Sequence, residues 1–180
     1  MRLSKWTSGT LAIALLASTA AAADTVASGK VKSIDVDSKT FVLTDAAGKE
    51  HTFKLGDTVV VNREGKESKS GLKSGDALHI CYDKGDSAWT AHYILVQEGA
   101  SKNSELIRGK VKSYDADKQE LTFTNQVNKD STYSMGKATV RLNMEDAKIE
   151  NVKIGDQALL IVNTVEGTPT LRSVMVDRAK

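Results

Sequence analysis

The chain has 180 residues, of which 27% are charged and 5% aromatic, with 25 Lys and Arg against 23 Asp and Glu. Arg2 and Lys5 precede an apolar run at 11–17 and four alanines at 20–23, the pattern of a secretory signal peptide cut after Ala23. Loss of residues 1–23 removes two basic groups and no acidic one, so the remaining chain is formally neutral and lacks the concentrated positive field that nucleic acid or an anionic membrane requires. The apolar run is far shorter than the roughly 20 residues of a spanning helix, and no later stretch is apolar enough to span a bilayer, so no transmembrane segment is expected. The expected location is periplasmic or secreted. Cys81 is the only cysteine, which excludes an internal disulfide in a compartment that permits them.

Self-similarity organises the rest. Residues 29–37 (GKVKSIDVD) return at 109–117 as GKVKSYDAD, a spacing of 80 residues. Without a gap, the same spacing aligns Thr44 with Thr124, Thr52 with Thr132, Gly56 with Gly136 and Val60 with Val140. It also matches Lys73, Gly75 and Asp76 with Lys153, Gly155 and Asp156. The economical reading is an internal duplication: domain copy one at 24–99, a short polar linker at 100–107 and copy two at 108–180.

Taken in chain order, each copy reads as a series of short strands. In the first, Val31 and Ile34 are both apolar but of opposite parity, which predicts a bulge or sharp bend. Phe41 with Leu43, then Phe53 with Leu55, alternate with polar residues, as do Leu78, Ile80 and Tyr82. Copy two repeats this pattern at Leu121 and Phe123, Tyr133 and Met135, and Ala158, Leu160 and Val162. Asp- and Gly-rich segments at 35–39, 45–48 and 83–86 read as hairpin turns. The polar stretch 63–75 reads as the long irregular connection of a five-stranded OB-type barrel. Helical periodicity is absent beyond residue 23, so the expected fold is all-β, two tandem small OB-like barrels.

Three motifs carry a resemblance: Gly29-Lys-Val-x-x-Ile-Asp35, Leu72-Lys-x-Gly-Asp76 and Ala91-x-x-Ile94-x-Val96. The chain resembles a family of small β-barrel domains of unknown function in exported bacterial proteins. More distantly it resembles the small periplasmic copper- and silver-binding chaperones, which are OB-like barrels. That second resemblance implies a His, two Met and a Trp around a Trp-Pro-x-Met-x-Met stretch, and neither copy contains one.

The clearest functional hint is an asymmetry. His51, His79, His92 and Cys81 all lie in copy one, where copy two carries Ser131, Leu159, Arg172 and Ile161. His79 and Cys81, two apart on a strand, leave the same face, and the partner strand brings His92 nearby. An imidazole and thiolate set suits zinc or copper, so His79, Cys81 and His92 are the candidate metal ligands. Simple parity works against the set, because His92 points inward with Ile94 while His79 and Cys81 point outward; a bulge near Ala91 is needed to join them. The Asp35/Asp37 and Asp115/Asp117 pairs lack the further ligands of a calcium loop and read as turn formers. Trp89 and Tyr93 mark either a contact patch or packing at a hairpin end. No nucleophile, base and orienting group come together, so no enzyme is expected. The preferred expectation is a non-enzymatic binding or structural module, without a required cofactor, whose partner is a protein or other envelope component. The alternative is a periplasmic copper- or zinc-binding protein using copy one.

Overall fold

In the computed structural model, residues 25–85 and 88–178 are described, and the segment 1–23 read as a signal peptide lies outside them. The first sheet contains β1 (Thr25–Asp35), β2 (Thr40–Thr44), β3 (Glu50–Arg63), β4 (Lys66–Ser68), β5 (Ala77–Lys84) and β6 (Trp89–Val96). A 3-10 turn at Gly99–Ser101 leads to the second sheet: β7 (Ser104–Asp115), β8 (Glu120–Asn125), β9 (Asp130–Ser134), β10 (Thr139–Leu142), β11 (Glu145–Ala147), β12 (Gln157–Val165) and β13 (Thr168–Val176). Strand β7 therefore begins inside the 100–107 stretch read as linker.

The first sheet runs β2-β1-β5-β6-β3-β4, and the β2–β3 pairing closes its main strands into a barrel. Strand β6 lies between β5, antiparallel, and β3, parallel, which is the OB order. The second sheet runs β11-β10-β13-β12-β7-β8-β9, and β9 meets β13 to close it. The fold is thus all-β with two tandem OB-like barrels, here barrel one and barrel two.

Alternation places the cores as the sequence predicts. Phe41, Leu43, Phe53, Leu78, Ile80 and Tyr82 fill barrel one. Leu121, Phe123, Tyr133, Met135, Leu160 and Val162 fill barrel two. The parity break in the first strand is a β-bulge, with a register shift between Val31 and Ser33 that recurs between Val111 and Ser113. The Asp35 carboxylate accepts the N–H groups of Asp37 and Ser38 at 3.0 and 3.1 Å, and Asp115 does the same for Asp117 and Lys118. These aspartates build turns. The 63–75 stretch is less irregular than expected, because β4 folds back on the end of β3 as a hairpin.

One alignment detail changes. The gapless spacing sets Val60 against Val140, whereas Val61 pairs with Ile94 and Val140 with Val174, so Val61 and Val140 hold equivalent places. The two hairpins that follow keep this one-residue offset, 61–63 against 140–142. Arg141 therefore stands where barrel one has Asn62, and Met144 where it has Gly65.

Candidate functional site

Strands buried on one face alternate; strands buried on both read as unbroken apolar runs. Residues 158–162 (Ala-Leu-Leu-Ile-Val) on β12 are such a run, and 93–96 on β6 (Tyr-Ile-Leu-Val) are another. Their outward side chains form a third buried cluster, between the barrels. Val26, Cys81 and Leu95 of barrel one meet Leu106, Ile161 and Met175 of barrel two. These are counterparts at a spacing of 80, so each barrel docks through the same outward face.

A polar network crosses beside this contact. Asn62 Nδ2 donates to the Tyr93 hydroxyl at 2.8 Å, that hydroxyl donates to Glu67 Oε1 at 3.0 Å, and Arg141 Nη1 donates to Glu67 Oε2 at 2.5 Å. Burial pushes the Tyr93 phenol well above its ordinary range, so it remains a neutral donor. Arg172 adds a second tie, donating to the Ala100 carbonyl at 2.8 Å.

Two clefts are lined by residues of both barrels. The first, about 410 Å³, is lined by Cys81, His92 and Val60 from barrel one and by Met144, Leu159 and Met175 from barrel two, among others. The second, about 180 Å³, is lined by Gly65, Leu95, Ile161 and Arg172, among others. Those four residues are the counterparts of Met144, Met175, Cys81 and His92, so the same docking geometry presents one set of side chains in one cleft and its counterparts in the other.

His92 reaches the first cleft because β6 bulges. Cys81 pairs with Tyr93 but Tyr82 pairs with Ala91, leaving His92 as the extra residue. Ala91 and Ile94 both stay in the core, and His92 turns outward with Cys81, correcting the simple parity expectation. His92 Nε2 lies 2.7 Å from Asp83 Oδ2. His79 shares the outward face but does not line this cleft. Burial lowers its imidazole pKa, opposed by the charge of Glu105. The predicted trio is therefore brought together only in part, and among the described residues no three His, Cys, Asp or Glu side chains are grouped to hold a metal.

Trp89 serves packing. It stacks against His51 at 5.0 Å and Tyr82 at 5.2 Å between ring centroids, and Tyr93 is consumed by the inter-barrel network. His51 is also tied to Asp45 at 3.0 Å, a contact that holds the Asp45 carboxyl below its ordinary pKa.

Three solved structures of one small protein are similar to part of this chain. Silver-bound CusF matches at 21% identity over 41% of this chain and 97% of its own, with a TM-score of 0.34. Silver-bound CusF from Escherichia coli matches at 21% identity over 44% and 98%, with a TM-score of 0.36. A Cu(II)-bound variant of the same protein matches at 16% identity over 45% and 100%, with a TM-score of 0.33. No protein-family model matches the chain, and no curated protein matches it.

Sequence reasoning missed Met144, Met175 and the cleft itself. The available signal was the run of apolar residues on both faces of β12, which announces a second packing surface.

Proposed function

We propose that this chain is an exported, non-enzymatic binding protein whose ligand occupies the first cleft. One observation carries the reading: side chains that differ between the copies, from both barrels, converge on that cleft. Residues shared by the copies, such as Gly29, Gly75 and Asp76, build the barrels, while the differing ones hold whatever only the pair can bind. A cavity of about 410 Å³ lies within the range that encloses small ligands. Export rests on the basic, apolar and small-residue succession of 1–23, and places the protein in the periplasm or outside the cell among envelope components. The test is native mass spectrometry of the protein purified from its own cells. A bound mass is expected in the wild type and absent in Thr58→Trp, whose indole fills the cleft from an exposed strand position; equal binding by the variant would sink the reading.

A second reading is favoured by the bulge at His92, which sets its imidazole in the same cleft as Cys81. On this reading the ligand is a soft metal, copper or zinc, held by barrel one while barrel two is structural. His79 falls outside the set.

A further inference from the structure

We infer that the first cleft is a four-donor site for a monovalent soft metal ion, Cu(I) with Ag(I) as its analogue, held by Cys81 and His92 of barrel one together with Met144 and Met175 of barrel two. This rests on the first cleft being the binding site, and it replaces a barrel-one site by one that neither barrel completes alone.

The distribution of donors is the first argument. The chain has one cysteine, three histidines and four methionines. The cysteine, one histidine and two methionines line this single cavity. The second cleft is the internal control, because it presents the four counterpart positions. There they are Ile161, Arg172, Gly65 and Leu95, none of which is a soft donor. Apolar packing alone is served by Ile161 and Leu95, so it does not by itself call for sulfur at 81 and 175.

Met144 supplies the second argument. It sits at the β10–β11 turn with φ of 68°, where the corresponding turn of barrel one has Gly65 with φ of 83°. Left-handed backbone is unfavourable for a bulky side chain, and Met144 is 62% exposed, so burial in a core does not explain it. It instead lines a cavity whose wall also holds Cys81 and Met175, which are 2% and 8% exposed.

Chemistry and charge select the ion. Thiolate and thioether sulfurs with one imidazole are the donors that Cu(I) prefers, whereas Zn(II) has little use for thioethers. On coordination the Cys81 thiol releases its proton to solvent, and one thiolate neutralises one monovalent ion. Asp83, bonded to one nitrogen of His92, fixes the ring and leaves the other nitrogen to ligate.

The test is anaerobic Cu(I) titration of the full mature protein against a chromophoric Cu(I) chelator, with Zn(II) as control. One equivalent is expected to bind, far more tightly than micromolar. Met144→Gly and Met175→Leu each install the residue of the other barrel; neither should lower the melting midpoint of the metal-free protein, and the glycine variant should raise it slightly. Each should weaken Cu(I) binding by about tenfold or more, since even outer-shell partners of a metal are worth roughly 10–100-fold. Neither should alter Zn(II) binding, and Cys81→Ala should remove most Cu(I) affinity. If both methionine variants bind Cu(I) like the wild type while Cys81→Ala does not, the four-donor site is overturned and a barrel-one site stands. If Cu(I) binds no better than micromolar while an organic mass occupies the protein from cells, the inference fails and the cleft reading survives.

Discussion

His79 lies on β5, opposite Ser28 on one side and Leu95 on the other, with its ring in a partly desolvated setting that favours the neutral form. Its folded pKa is below the unfolded value, so the unfolded chain takes up the proton first as pH falls. The stability associated with neutral His79 is present above the unfolded value of about 6.5 and is lost as pH drops towards the lower folded pKa. Urea melts at pH 7.5 and pH 5 should show a loss of stability that is smaller in His79→Gln; an identical loss in both proteins would remove this role. Met144 predicts the opposite kind of change. Met144→Gly relieves a left-handed methionine and should raise metal-free stability by roughly 0.5–1 kcal/mol in the same melts, the strain relieved exceeding the entropy a glycine adds to the unfolded chain. Neither effect is visible in composition or spacing. His79 reads the same on an exposed strand as on a half-buried one, and the place of Met144 depends on a one-residue offset that chance identity at Val60 and Val140 conceals.

At the scale of strands, much was legible because alternation is enforced by a closed core. The bulge of β1 and β7 follows from Val31 and Ile34 sharing a character but not a parity, and Gly29 and Gly109 belong to the same tight crossing. A Cβ at Gly109 would lie 2.8 Å from both Asn125 Cα and the Phe123 ring, and would collide with the Thr124 carbonyl. Gly109→Ala should therefore destabilise the protein by about 1–3 kcal/mol in chemical denaturation, as overpacking does. The bulge of β6 was harder to foresee, since Ala91 is small enough to pass as either facing. Only the register against Cys81 and Tyr82 shows that Ala91 takes the core position and His92 is expelled.

Across the whole molecule, the decisive feature is that the barrels share a buried apolar cluster and a crossing Glu67–Arg141 pair. The duplicated pattern pointed to two similar units but not to their contact, because alternation reports one face of a strand and the contact uses the other. Coupling of this kind predicts one cooperative unfolding transition by calorimetry. Ile161→Asp would bury a carboxylate in the cluster, and it should split that transition in two. A single unchanged transition in the variant would show that the barrels do not stabilise each other through this face. The central claim, that the first cleft is where this protein binds, is tested most directly by hydrogen exchange on the protein as isolated from its cells and again after its bound mass has been stripped. Bound-state protection is expected in both walls at once, β6 at Trp89–Val96 and the turn between β10 and β11. Protection confined to one barrel, or no difference between the two samples, would contradict it.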